Sequence, residues 1–126
     1  GGKAFTSELE DVLIKLINKP HIAGFTLLGG EPFEEENRDD ILELLKHIKK
    51  ECPTKSIWVY SSFLYEEIME WKQPLLDYVD VLVDGPFVNE LKDANLKFRG
   101  SSNQRIIDIK KTKENKEITL VEFKEI

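Results

Sequence analysis

A glycine-rich turn is the stretch of this sequence best suited to bind a ligand. Gly29, Gly30, Glu31 and Pro32 (the Gly-Gly-Glu-Pro turn) directly follow a short apolar run, residues 25–28. Two adjacent glycines let the backbone come close to a ligand, so that its amides and carbonyls can bind an amino or carboxylate group. The proline removes one amide donor and stiffens the exit from the turn. The alternative is that these four residues only form a tight turn.

Two further apolar runs also end in polar residues. Ser61 and Ser62 follow residues 57–60, and Asp84 follows residues 79–83. Their hydroxyl and carboxylate oxygens are suited to hydrogen bonds with a ribose or an amino-acid moiety. The carboxyl ends of parallel strands meet at one edge of a sheet, where α/β proteins bind their ligands. We therefore predict that the three turns form one site.

Helical patterns between the apolar runs would hold these turns in place. The first pattern starts at Ser7, which is spaced from Glu10 as in a capping box. The acidic residues 34–40 suit the N-terminus of the second helix, and Pro74 breaks the third. The apolar residues at helical spacing are Leu9, Val12, Leu13, Leu16 and Ile17 in the first pattern, Ile41, Leu44, Leu45 and Ile48 in the second, and Leu64, Ile68, Trp71 and Leu75 in the third.

The alternation of helix and strand predicts an α/β fold in which helical crossovers join parallel strands. The end of the chain has a different pattern. Ile106, Ile107 and Ile109 predict one more strand, and residues 118–121 predict another. The charged segment between them, residues 110–117, is short enough for a loose hairpin.

The composition excludes several classes of protein. The chain has 126 residues, 40% of them hydrophobic and 33% charged, with a net charge of −6. These values are typical of one globular domain and disfavour a broad nucleic-acid surface. No apolar run approaches the roughly 20 residues that cross a membrane, and no signal peptide is visible. The single cysteine, Cys52, cannot build a disulfide framework, so the cytosol is the default location.

Familiar catalytic and metal-binding patterns are not found in the sequence. It has no phosphate-binding loop and no Gly-x-Gly-x-x-Gly segment after a strand. Cys52 has no second cysteine with which to form a metal pair. His21 and His47 are too far apart in sequence to form a local ligand pair. Trp58 and Trp71 fall in phase with core positions, which favours packing over cofactor stacking.

The turns and one distal block resemble a known family. The Gly-Gly-Glu-Pro turn resembles the motif with which radical S-adenosylmethionine (SAM) enzymes hold the amino group of SAM. Residues 97–108, with the segments 84–87 and 58–62, resemble the activating proteins of anaerobic ribonucleoside-triphosphate reductase. That family is a branch of the radical SAM enzymes that generates glycyl radicals. The resemblance covers nearly the whole chain, and the block 97–108 is its most specific part.

The resemblance implies a single domain, 1–126, with the fold of a partial (β/α) barrel of parallel strands and a C-terminal strand or hairpin extension. It also implies a [4Fe-4S] cluster held by a Cys-x-x-x-Cys-x-x-Cys loop, since thiolates ligate such clusters. This sequence lacks that triplet. We therefore expect a chain truncated before Gly1, without the first barrel strand and the cluster loop, rather than a degenerate homologue. Such a fragment is expected to be inactive.

The resemblance further implies a mechanism for the full-length protein. The reduced cluster donates an electron to SAM, which splits into methionine and a 5′-deoxyadenosyl radical. That radical takes a hydrogen atom from a glycine of anaerobic ribonucleoside-triphosphate reductase. The implied protein is a cytoplasmic enzyme served by an electron donor such as flavodoxin or ferredoxin. Neither nucleic acid nor a membrane is an implied partner.

The implied SAM contacts come from four places in the chain. The backbone of the Gly-Gly-Glu-Pro turn is implied to hold the amino group of SAM. The next two strand ends are implied to contact its carboxylate, ribose or amino group. The distal block is implied to line the SAM pocket or the entrance for the glycine loop. The alternative for residues 99–105 is that they only shape a loop. The candidate residues are Gly29, Gly30, Glu31 and Pro32, then Ser61 and Ser62, then Asp84, and then Asn103, Gln104 and Arg105.

Two other functions stay open at this point. The chain could belong to an activase of another glycyl radical enzyme, such as pyruvate formate-lyase, although the block 99–108 argues against that assignment. It could also be a cluster-free module that binds a partner through the open end of its sheet. A cysteine triplet upstream of Gly1 would reject the second alternative.

Overall fold

Four short strands form one sheet in the computed structural model, which describes residues 7–27, 32–71 and 74–122. They are β1 (Gly24–Leu27), β2 (Ser56–Tyr60), β3 (Val81–Asp84) and β4 (Arg105–Asp108), and they lie side by side in that order. The first three are parallel, and β4 runs antiparallel to β3. The prediction of an α/β fold with parallel strands is therefore confirmed in this coarse form, as a mixed α/β structure with a mostly parallel sheet.

Helices join the parallel strands. The helix α1 (Ser7–Ile17) precedes β1, α2 (Glu35–Glu51) joins β1 to β2, and α3 (Tyr65–Glu70) follows β2. The third helix is shorter than its apolar pattern suggested, because a separate 3-10 turn, Pro74–Tyr78, takes up the second half of that pattern. The strand β3 accordingly begins at Val81, later than the predicted strand 79–83.

The main core lies between α2 and one face of the sheet. Successive residues of a strand point to opposite faces, and Ile57, Val59, Leu82 and Ile107 are fully buried on the face that α2 covers. The predicted apolar face of α2 is confirmed. Ile41 is nearly buried, and no surface of the other three residues is exposed: Leu44, Leu45 and Ile48.

The predicted apolar face of α1 is wrong in part. Leu9, Val12 and Leu16 are about half exposed, whereas Ile17 is buried and Glu10 is 7% exposed. The helix packs on the core through Ile17 and the half-buried Leu13 and Ile14, so its covered face includes two of the predicted positions and is rotated away from Leu9, Val12 and Leu16. Helical periodicity finds an apolar stripe, but the neighbouring helix α2 decides which side of it is covered.

The other face of the sheet has a thinner cover. The buried residues Val81, Val83 and Ile106 lie on this face together with the half-buried Trp58 and Tyr60. The cover comes from two chain segments rather than from a helix: the loop that carries Phe98 and the segment around Val121. We call this the open face of the sheet.

Of the predicted C-terminal strand or hairpin, the strand is confirmed as β4, whereas the hairpin is wrong. Ile109 does not extend β4 but starts the helix α4 (Ile109–Asn115), which occupies most of the predicted hairpin segment 110–117. The cause is local, because the Asp108 carboxylate accepts a hydrogen bond from the amide of Lys111 (2.9 Å) and caps the helix.

Residues 118–121 run beside β4 without forming a second strand. They make one isolated bridge, between Leu120 and Ile107. Two backbone hydrogen bonds flank the bridge: the amide of Asp108 donates to the Thr119 carbonyl (2.8 Å), and that of Val121 donates to the Ile106 carbonyl (2.9 Å). The segment thereby covers the outer edge of β4, the place where a C-terminal strand was predicted.

Candidate ligand site at the strand ends

The carboxyl ends of β2 and β3 lie next to each other, as the polar turns predicted. The amide of Ser61 donates to the carbonyl of Val83 (2.9 Å), so Ser61 lies beside Asp84 at one edge of the sheet. Ser61 is buried, and Ser62 beside it is exposed. We call this edge the rim. Gly29, Gly30 and Glu31 lie outside the described residues, and Pro32 is buried directly after them.

The Ser61 hydroxyl shapes the turn that leads into α3. Its Oγ accepts a hydrogen bond from the amide of Phe63 (3.0 Å). Such local bonds from serine to a backbone amide two residues on are typical of turns. One acceptor position of this hydroxyl is thus used to hold the turn.

Asp84 is fully buried, and its carboxylate is engaged by the protein itself. Its Oδ2 accepts the amide of Tyr65 (2.7 Å), and its Oδ1 accepts Nε of Arg105 (3.0 Å). A second guanidinium nitrogen of Arg105 contacts Oδ2. A buried carboxylate requires such partners, since an isolated charge in the interior is costly.

Arg105 extends this contact to Glu66 on α3. Its Nη1 lies 2.9 Å from Oε1 of Glu66, and its Nη2 donates to Oε2 (3.0 Å). The hydrogen bond from Arg105 lowers the pKa of Glu66, and the two carboxylates together raise the pKa of Arg105. The three side chains tie β3, β4 and α3 together at the rim. The sequence analysis missed Glu66, because nothing in its local pattern distinguishes it from other helical acids.

The side chain of Gln104 makes hydrogen bonds to the loop that precedes β4 and to the turn after β3. Its Oε1 accepts the amides of Gly100 (2.9 Å) and Ser101 (3.2 Å), and its Nε2 donates to the Gly85 carbonyl (3.0 Å). The side chain therefore links the loop to the turn after β3. For Gln104, these contacts support the alternative interpretation, in which residues 99–105 only shape a loop.

Asn103 has a buried acceptor without a partner among the described residues. Its Nδ2 donates to the carbonyl of Pro86 (2.8 Å) and lies close to Gly85, where an added Cβ would be 3.7 Å away. Its Oδ1 is buried and has no hydrogen-bond partner in the part of the chain that the structure describes. Buried polar atoms are almost always paired in folded proteins. An amino or hydroxyl group of a ligand is the kind of donor that would satisfy it.

A cavity of about 370 Å³ lies against the open face, along β1 and along β2 as far as its last residue, Tyr60. The Trp58 and Phe98 rings meet at its edge, with centroids 5.1 Å apart and planes tilted by 58°. Tyr60 also lines it and donates its hydroxyl to the Phe98 carbonyl. Burial raises the pKa of that hydroxyl. The alternation of Trp58 and Tyr60 along one strand was the available signal for this aromatic wall.

The other candidate groups lie apart from the rim. Cys52 is buried at the end of α2 with its Sγ 3.8 Å from the Ile14 carbonyl, and burial raises the pKa of its thiol. His47 of α2 lies 3.9 Å from the Glu10 carboxylate, and His21 lines the cavity on the open face. Within residues 7–27, 32–71 and 74–122, no three His, Cys, Asp or Glu side chains are grouped so as to hold a metal ion.

Comparison with known proteins decides the family. Residues 1–107 match the model of a family described as a 4Fe-4S single cluster domain. The anaerobic ribonucleoside-triphosphate reductase-activating protein of Escherichia coli (strain K12) is 43% identical over 105 residues, which cover 82% of this chain and 68% of that protein. This chain belongs to the family of those activating proteins.

Other members of the family give the same picture. The reductase-activating protein of Vibrio cholerae is 40% identical over 107 residues, covering 83% of this chain and 69% of that protein. That of Enterobacteria phage T4 is 36% identical over 105 residues, covering 83% and 65%. No solved structure matches the chain significantly. No helix among the described residues has the length and apolar character needed to cross a membrane.

Proposed function

We propose that this chain is part of an enzyme that generates a glycyl radical on anaerobic ribonucleoside-triphosphate reductase by reductive cleavage of SAM at a [4Fe-4S] cluster. The observation that carries the proposal is the 43% identity over 68% of the length of a reductase-activating protein. The match to a 4Fe-4S single cluster domain supports the cluster. The reductase is the proposed partner, with flavodoxin or ferredoxin as electron donor and the cytoplasm as the location.

The rim is the proposed place for SAM. The buried Oδ1 of Asn103, which has no hydrogen-bond partner among the described residues, fits an amino or hydroxyl donor of that molecule. By resemblance, the backbone of Gly29, Gly30 and Glu31 would hold the amino group. When bound, SAM would supply the group that takes a hydrogen atom from glycine.

Asp84 and Arg105 have a different role in this proposal. Their mutual contacts, together with Glu66, leave them holding the rim in shape rather than holding the ligand. We propose that they position the turn after β3, where Gly85 and Pro86 meet Asn103.

The residues of this chain do not fit the cluster. A [4Fe-4S] cluster is ligated by several cysteine thiolates, whereas this sequence has one cysteine, which is buried in the core. We therefore propose that the ligands of the cluster come from residues other than these 126. We also propose that the sheet is part of a larger (β/α) barrel, which would continue beyond β1, the first strand of the described sheet.

The test uses the full-length protein, reconstituted anaerobically with iron and sulfide. When reduced, it should convert SAM to 5′-deoxyadenosine and, with the reductase, should produce a glycyl radical visible by electron paramagnetic resonance. The matched control replaces the reductase by pyruvate formate-lyase, on which no radical should form. A radical on the lyase but not on the reductase would reverse the assignment, and the lack of 5′-deoxyadenosine would reject the activity.

A further inference from the structure

Hydrogen bonds, rather than apolar packing, hold the shape of the loop between β3 and β4, residues 85–104. Ser101 is fully buried within the loop, and its Oγ accepts the amide of Val88 (3.1 Å). A backbone bridge joins Lys92 to Ser101, and the side chain of Gln104 links the two ends of the loop. The loop therefore has a defined shape beside the rim although it buries no large apolar side chain.

The loop presents Phe87 to solvent. The ring is 56% exposed. It lies against the backbone of Gly100, where an added Cβ would be 2.9 Å from Cδ2 of the ring. Leu91 of the same loop is 43% exposed. Exposed large apolar side chains on a fixed element are typical of protein–protein interfaces, where a few aromatic residues carry much of the binding energy.

A cavity of about 650 Å³ lies beside the Phe87 ring. Phe87 and Leu96 give its wall apolar surface, and Lys92 and Arg99 add two cations. Among the described residues of the lining, Asp93 is the one acid, and its Oδ1 accepts an amide of the loop (2.9 Å). Neither cation has an ion-pair partner within the described part of the chain. The complementary surface combines an apolar side chain with a carboxylate. We call Phe87, Lys92, Leu96 and Arg99 the loop face.

We propose that the loop face is a docking surface for anaerobic ribonucleoside-triphosphate reductase, which contacts it through an apolar side chain next to an acidic one. The inference rests on the proposed function, in which the reductase brings a glycine to the rim. The loop is attached to the rim, because Asn103 and Gln104 bind the carbonyls of Pro86 and Gly85 in the turn after β3. A protein bound to the loop face is therefore held at a fixed distance from the rim.

The chemistry of the loop face favours a protein over a nucleic acid. Its wall is largely apolar, and the net charge of the whole chain is −6. A phosphate backbone would be repelled by that charge and would leave the apolar wall uncovered. The loop face shares no residue with the cavity on the open face.

Removal of the Phe87 ring tests the docking surface. The iron-free full-length protein is passed over immobilised reductase, and biolayer interferometry gives the Kd. Phe87→Ala should raise the Kd by about tenfold, as truncation of an aromatic anchor does. The matched control is Val12→Ala, because Val12 is 53% exposed but lies on α1, which packs on the main core. It should leave the Kd unchanged.

Gly100→Ala tests the position of the ring rather than its presence. The added Cβ displaces the Phe87 ring without removing it. We expect the Kd to rise, but by less than in Phe87→Ala. Circular dichroism of each variant shows whether it is folded.

Lys92→Glu tests the charge of the loop face. At low salt it should raise the Kd by about tenfold, because a carboxylate of the partner would then face a like charge, and the effect should shrink at high salt. Lys110→Glu is the matched control. It makes the same change of charge at an exposed position on α4, away from the loop face, and should leave the Kd unchanged.

Three results would overturn the inference and leave the proposed function intact. The first is that folded Phe87→Ala binds the reductase as tightly as the unmodified protein. The second is that Phe87→Ala changes only the sedimentation coefficient, which would show that the loop face joins two copies of the chain. The third is that it lowers the melting temperature of the full-length protein but not its affinity, which would show that another part of the protein covers the loop face. If the unmodified protein does not bind the reductase at all, the proposed function fails together with the inference.

Discussion

Asp84 lies where the sequence predicted, but its contacts differ from those of the predicted ligand-binding residue. From its position after an apolar run it was a candidate ligand contact, and it does lie at the rim. Its two oxygens, however, accept hydrogen bonds from Tyr65 and Arg105. Its buried charge therefore stabilises the rim through Arg105, and among the described residues the buried rim acceptor without a hydrogen-bond partner is Oδ1 of Asn103.

Replacing Asp84 should destabilise the protein far more than replacing its neighbour in the ion-pair network. Asp84→Asn removes the buried charge that faces Arg105, and we expect the free energy of unfolding to fall by about 3 kcal/mol. Glu66→Gln, on the half-exposed side of the same guanidinium, should cost less than about 1 kcal/mol. Urea unfolding of both variants measures the difference. Equal losses would show that Asp84 is not the buried anchor of the network.

The hydrogen bond between Arg105 and Glu66 should contribute to stability only above acidic pH. Because the pKa of Glu66 is lowered in the folded protein, its contribution is present above the pKa of the unfolded state and is lost as the pH falls through the folded-state pKa. The melting temperature of the unmodified chain should exceed that of Glu66→Gln at pH 7, and the gap should close on acidification towards pH 3.

Glu70→Gln is the matched control for this titration. Glu70 lies on the same helix and is exposed. Its melting-temperature difference from the unmodified chain should stay constant over the same pH range. A gap for Glu66→Gln that persists at low pH would contradict the role assigned to the ionised carboxylate.

The pairing of the strand β1 with β2 depends on one small residue, Gly24. Gly24 pairs with Ser56 in the parallel register, and an added Cβ at Gly24 would lie 2.2 Å from the Ser56 carbonyl oxygen. Backbone atoms cannot move aside as a flexible side chain can. The glycine is therefore required by the close approach of the two strands.

Gly24→Ala should weaken the pairing of β1 with β2. We expect a loss of about 3 kcal/mol in the free energy of unfolding, at the upper end of what overpacking costs. Gly100→Ala is the matched control, because its Cβ would meet the exposed Phe87 ring at 2.9 Å, and that ring can move. Its cost should stay below about 1 kcal/mol. Similar losses in urea unfolding would contradict the close-approach argument.

At the scale of the whole molecule, the chain has the polar rim but lacks the set of cysteines that would ligate a cluster. Family membership implies a [4Fe-4S] domain, yet the sequence holds one cysteine, and this cysteine lies in the core far along the chain from the Gly-Gly-Glu-Pro turn. This chain therefore carries the rim separately from the cysteines that the iron–sulfur chemistry of the family needs. This separation can be tested without the reductase.

The 126-residue chain should remain free of iron after anaerobic incubation with iron and sulfide, and it should not cleave SAM. The physical reason is that one buried thiol with a raised pKa cannot ligate a cluster. Metal analysis and the visible absorption spectrum measure the outcome, and Cys52→Ser is the control that should give the same result. A brown, iron-containing preparation would contradict the prediction.

Local patterns account for the parts of the fold that were predicted correctly. The apolar runs became β1, β2 and β3, and the face of α2 with Leu44 and Ile48 is fully buried. Where local chemistry was overlooked, the prediction failed. Asp108 caps α4 and ends the strand that Ile109 was expected to extend, so the predicted hairpin is a helix.

The sequence by itself determined the alternation of helix and strand, the polar strand ends and the family, because periodicity, turn residues and the block 97–108 are properties of neighbouring residues. Only the tertiary structure decided which of those polar groups are already paired. Arg105 meets Glu66 across 39 positions of sequence, and Phe98 meets Tyr60 across 38. Such partners come from elements that the sheet brings together, and no local pattern of residues encodes them.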